Sequence, residues 1–253
     1  MSLARAHRER IKAKLLAQQQ GLPTSAPSAP EIDESDPAAS EYRQLQAALH
    51  NDLRTLHEIQ SVQEKIARKR EMIDTYLPWV NGALEAGAEG RAVQDEIVVT
   101  VMIWALDIQN WPLALDLGEH VLKHGLALPS RHKRTPATVI AEEVADAAKE
   151  DMASVPFDIL QRTGDLVEGY DMPDQVKAKL LRALGLLLAD QAEHFDPEAE
   201  NAIAGGKPAL IEAALVSLRN AVRHDKNVGV KKQIEQLERT AKKLAEEAGA
   251  EQN

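Results

Sequence analysis

The chain has 253 residues, a formal net charge of −10, 44% hydrophobic residues, 3% aromatic residues and no cysteine. That length buries a core in one or two domains, and the missing cysteines exclude disulfides, thiolate metal sites and cysteine nucleophiles. Net acidity argues against a passive nucleic-acid coat but not against DNA binding through a local basic patch.

Residues 2–20, "SLARAHRERIKAKLLAQQQ", carry Arg5, Arg8, Arg10, Lys12 and Lys14 against Glu9 alone. Leu3, Ile11, Leu15 and Leu16 add a thin apolar stripe, so a short basic helix is expected, and no apolar signal core follows it. Residues 21–39 contain prolines 23, 27, 30 and 37 and read as a linker that tethers the basic arm.

Residues 40–76 contain neither Gly nor Pro and predict one long, coiled-coil-like helix. Its seam is Leu45, Leu49, Leu56, Ile59, Ile66 and Ile73, interrupted at Asp52 and Gln63. So narrow a stripe suits packing against a second copy. Lys65, Arg68, Lys69 and Arg70 near its end are weaker candidates for phosphate contacts, beside the plainer reading of a solvated face.

Pro78 breaks the pattern. The apolar run Ile97–Leu106 is too short to span a bilayer and predicts a buried helix, with Asp95 and Glu96 at its start. "WPLALDLGEHVLKHG" predicts another helix, opened by Pro112 and ended by Gly125. Further helices are expected at about 136–152, 156–168, 173–193, 208–224 and 228–247. Thr135 is the expected N-cap of the first, with Pro136 at its first position, and the last two form a hairpin.

The expected fold is therefore all-α: a long coiled-coil-like helix, then a multi-helix, helical-repeat-like domain without a fixed repeat period. Its divisions are an arm (1–20), a linker (21–39), the long helix (40–76) and a helical core (77–195). A loop (196–207), the hairpin (208–247) and a tail (248–253) follow. Neither a signal core nor a membrane-spanning run is evident, which predicts a soluble cytoplasmic protein.

Catalytic motifs are absent from the sequence. "AGGKP" at 204–208 lacks the spacing and hydroxyl of a phosphate-cradling loop. His120 and His124 have metal-ligand spacing but no third ligand in the motif, and His124 suits a helix end. Asp171 and Asp174 flank Pro173 as helix-start acids, and no (D/E)xK follows to complete a nuclease signature. No catalytic residue, metal site or cofactor is predicted.

The strongest local signal is "SRHKRTP", where Arg131, His132, Lys133 and Arg134 stand together between two predicted helices. Cations and unpaired backbone N–H groups at a helix start suit phosphates. The alternatives are an intersubunit salt-bridge patch and a solvated loop.

Five segments, in order, resemble the small terminase subunit of temperate, contractile-tailed phages. They are "LPWVNGALEAG", "DEIVVTVMIWALDI", "ALDLGEHVLKHGLALPSRHKRTPATVIAEEVA", "DMPDQVKAKLLRALGLLLAD" and "GVKKQIEQLER", and the resemblance covers about residues 40–240. It implies a ring-forming, non-ATPase protein acting in the cytoplasm of the bacterial host. Such a protein recognises the packaging site on double-stranded concatemeric viral DNA and delivers it to the large terminase subunit, which carries motor and nuclease. Members are often labelled the endonuclease subunit of terminase, a label taken here to describe the complex. Members often end in a basic tail, whereas this chain ends in "AEEAGAEQN", so no C-terminal DNA-binding role carries over. Two further readings are a helical-repeat scaffold that binds only proteins and a metal-dependent endonuclease subunit.

Overall fold

The structure is a computed structural model that describes residues 37–197 and 205–251. The basic arm, most of the linker, the centre of the 196–207 loop and the last two residues of the tail lie outside the described residues. Within them the regular structure is all helical: ten α-helices and two short 3-10 turns. The chain divides into two compact units, one ending at Lys133 and one beginning at Arg134, so the expected 77–195 core is shared between them.

The first unit holds α1 (Pro37–Glu58), α2 (Val62–Met72), α3 (Leu77–Ala88), α4 (Glu96–Asp107) and α5 (Trp111–His124). The single helix expected over 40–76 is thus two, followed by a 3-10 turn. The cause is readable in "SVQE": the Ser61 hydroxyl accepts the Glu64 N–H and caps a new helix at 3.3 Å. Pro78 begins α3 rather than ending structure, because a helix's first turn tolerates a missing N–H.

The seam of α1 and α2 turns largely inward. Leu49, Leu56 and Ile73 are buried in this chain, while Leu45, Ile59 and Ile66 are half-buried. Asp52, which interrupts the seam, accepts a 2.7 Å bond from the hydroxyl of fully buried Tyr76. Burial, then this carboxylate, pushes the Tyr76 phenol well above its ordinary pKa. An acid in the stripe here satisfies a core phenol.

At the centre of the unit is α4, with nine buried residues from Ile97 to Leu106. Asp95 holds its start: the carboxylate accepts the N–H groups of Ile97 and Val98 at 2.8 and 3.1 Å. It also accepts the Trp79 indole N–H at 2.7 Å, which fixes α3 on α4. Against α5, Gly87 is required by contact, since a Cβ there would lie 2.3 Å from the His120 ring.

The second unit holds α6 (Pro136–Glu150), α7 (Phe157–Val167), α8 (Asp174–Glu193), α9 (Gly206–His224) and α10 (Lys231–Glu251). Most of these bounds lie within two or three residues of the sequence expectation. In the terminal hairpin, Ile211, Leu215 and Leu218 share one apolar cluster with Val230 and Leu237. Gly185 allows α8 to lie close on α9: a Cβ would come within 2.7 Å of Leu218.

Candidate nucleic-acid interface

The loop between α5 and α6 is organised from both ends. Gly125 closes α5 in the left-handed conformation that glycine tolerates best. The Gln94 side chain then brackets Ala127, donating to its carbonyl at 2.9 Å and accepting its N–H at 2.8 Å. A turn follows in which the His132 N–H donates to the Pro129 carbonyl at 2.8 Å. Thr135 begins α6, its hydroxyl oxygen accepting the Thr138 N–H at 3.3 Å.

On this frame the four basic residues have different surroundings. Arg131 and Lys133 are exposed, and neither has an ion-pair partner among the described residues. His132 is half-buried. Arg134 donates to Glu142 at 2.6 Å and to Glu143 at 3.4 Å along α6. Lys179 of α8 donates to the same Glu142 at 3.0 Å and to Asp146 at 2.9 Å. Burial acts to raise the Glu142 carboxyl, but the bonds from Arg134 and Lys179 outweigh it and hold it below its ordinary value. The bond to Glu142 raises Arg134 in turn. Arg134 is therefore part of a network that joins α6 to α8.

The start of α6 offers less to an anion than the sequence suggests. Pro136 has no N–H, and Thr135 occupies that of Thr138. Phosphate contacts at this loop rest on side-chain cations.

The weaker basic face on α2 is mostly committed. Lys69 pairs with Asp107 at 2.5 Å, linking α2 to α4, and Arg68 pairs with Glu71 one turn on. Arg70 reaches the Ile108 carbonyl at 3.5 Å, and Lys65 is half-buried. Arg5, Arg8, Arg10, Lys12 and Lys14 lie outside the described residues.

His120 and His124 do meet, with ring centroids 4.8 Å apart. Burial, then the neighbouring His124 and Lys123, lowers the pKa of His120. No group of three or more His, Asp or Glu is placed to share a metal among the described residues. Asp174 is engaged with His224 at 2.9 Å, while Asp171 is exposed. No helix among the described residues is long and apolar enough to cross a membrane.

The features that sequence reading missed are acidic: Glu142, Glu143 and Asp146. Their spacing after Arg134 shows acids on one face of α6, but the Lys179 contribution comes from a helix 33 residues or more away.

The sequence model of the family described as phage small terminase subunit matches residues 46–175. The "Terminase, endonuclease subunit" of Escherichia phage P2 is 38% identical over 244 residues, covering 95% of this chain and 86% of that protein. The "Probable terminase, endonuclease subunit" of Haemophilus phage HP1 is 24% identical over 219 residues, covering 85% and 75%. No solved structure matches the chain. The chain belongs to the phage small terminase subunit family.

Proposed function

Proceeding from that membership, we propose that this chain is the DNA-recognition component of a phage packaging machine. It binds double-stranded concatemeric viral DNA at the packaging site and presents it to the large terminase subunit in the cytoplasm of the bacterial host. The reading rests on one observation above all. Arg131 and Lys133 stand exposed without a carboxylate partner among the described residues, inside the segment that the family model matches. Exposed cations at a fixed loop place a duplex through its phosphates, with affinity coming from released counterions.

The N-terminal arm is a second contact in this reading, its five cations adding local concentration to whatever the loop binds. Assembly into a ring-like homo-oligomer uses the half-buried residues Leu45, Ile59 and Ile66, since Leu49, Leu56 and Ile73 are occupied inside the chain. Hydrolysis of ATP and cleavage of DNA belong to the large subunit. The name carried by the phage P2 relative is read as a property of the complex.

The test is duplex binding by the purified full chain across a salt series, with and without residues 1–20. Binding should weaken steeply with salt, and removing the arm should lower both affinity and slope while leaving the oligomer's mass unchanged. Salt-independent binding, or none, would favour the protein-only scaffold. With Mg²⁺ and no large subunit the duplex should remain uncut.

A further inference from the structure

The second unit carries a groove of about 1230 Å³ bounded by α7, α8 and α9. Leu180, Leu181, Leu184 and Leu188 of α8 line its floor, with Phe157 and Val216 from the flanking helices. Val216 is 52% exposed and Tyr170, at the groove's end, is 40% exposed. Leu180 and Leu188 are buried and Leu181 and Leu184 half-buried, so the groove is an apolar trough whose exposed groups are Val216 and Tyr170.

Its edges are acidic. Asp165, Glu168 and Asp171 lie along the side built by α7 and the turn after it, and Glu212 lies on α9. None of the four has an ion pair among the described residues. Lys177 is the single lysine in the lining, and His224 is held by Asp174. An apolar floor between carboxylate edges selects a cationic amphipathic helix.

The sequence of residues 2–20 has the pattern of such a segment. On a helical wheel, Ala4, Ile11 and Leu15 of residues 2–20 share one face, while Leu3 and Leu16 of the sequence stripe fall to either side of it. His7 and Lys14 border that face on one side, Arg8 and Lys12 on the other. A narrow apolar stripe between two basic edges is the complement of the groove, and prolines 23, 27 and 30 follow the segment in the sequence, the composition expected of a linker. We propose that the groove over α8 is a docking site for residues 2–20, supplied by the same copy or a neighbouring one. The proposal does not depend on whether the segment also binds DNA.

The chain has no native cysteine, so single thiols report cleanly. Val216→Cys in the full chain should react with a maleimide about tenfold more slowly than in the chain lacking residues 1–20, because the tether holds the segment at high local concentration. In the double variant A13C/V216C, a short bis-maleimide should join the two positions, within one chain or between two. The same reagent should join A13C poorly to E235C on the exposed face of α10. Neutralising the edges with D165N, E168Q and E212Q, which leaves the floor intact, should restore the labelling rate and abolish the crosslink. Three results would overturn the proposal: equal crosslinking at Val216 and Glu235, no response to edge neutralisation, or equal protection of Val216 without the arm. The last would assign the groove to another surface of a second copy.

Discussion

On α2, Lys69 reaches Asp107 and Arg68 reaches Glu71, whereas in the loop before α6 Arg131 and Lys133 meet no carboxylate among the described residues. Both stretches are short runs of cations in an acidic chain, and sequence alone ranks them by composition. Their surroundings separate them by role. A cation already paired with a carboxylate must give up that partner to meet a phosphate, while an unpaired one releases only water and counterions. Arg134 falls on the first side of this division although it adjoins Lys133, since Glu142 and Glu143 hold it.

The comparison predicts effects of different kind and size. The largest loss of stability should follow Asp107→Ala, which leaves Lys69, only 16% exposed, without its counter-charge. About 1–3 kcal/mol is expected in urea unfolding, with DNA affinity per folded molecule unchanged. A drop in DNA affinity at full folding would move α2 into the interface.

Next comes Arg134→Ala. Its side chain is 44% exposed, so screening limits the loss to about 1 kcal/mol or less. The salt slope of DNA binding should stay as in the wild type. The network also has a pH signature. The folded Glu142 carboxyl lies below its unfolded value, so the unfolded chain binds more protons in the window between them. The network's stabilisation is therefore present above the unfolded carboxylate pKa of about 4.3 and is lost as pH falls through the lower folded value. Unfolding of wild type and Glu142→Gln should differ most near neutrality and converge in acid.

A smaller effect on the monomer is expected from Ile59→Asp with Ile66→Asp, since both sites are half-buried. If they form the contact between copies, mass in solution should fall while helical circular dichroism persists. Retained mass would take the α1–α2 seam out of the assembly.

Much of the fold was legible because it is local. The Thr135–Pro136 start, the acids at 95 and 96 and the Gly125 stop are written in adjacent residues. The break at 59–61 was also written, in Ser61 and Glu64, but the lack of Gly or Pro over 40–76 and the seam on both sides of the break favoured one helix. Asp52 looked like a flaw in the seam because its partner, Tyr76, stands 24 residues away. The site was legible only as charge. Sequence grouped Arg131, His132, Lys133 and Arg134, and the fold divides them, since Lys179 and the α6 acids meet only after α6 and α8 pack.

The central claim is that Arg131 and Lys133 are the loop's phosphate contacts while Arg134 is structural. Replacing Arg131 and Lys133 with Ala should change stability by no more than about 0.5 kcal/mol, because both are exposed. The most direct test is the slope of log K against log salt for the full chain on a duplex, compared between this double variant and Arg134→Ala. The double variant should lose about two from the magnitude of the slope, equally on packaging-site and random sequences, and Arg134→Ala should lose none. An unchanged slope in the double variant, or an equal loss from Arg134→Ala, would contradict the account.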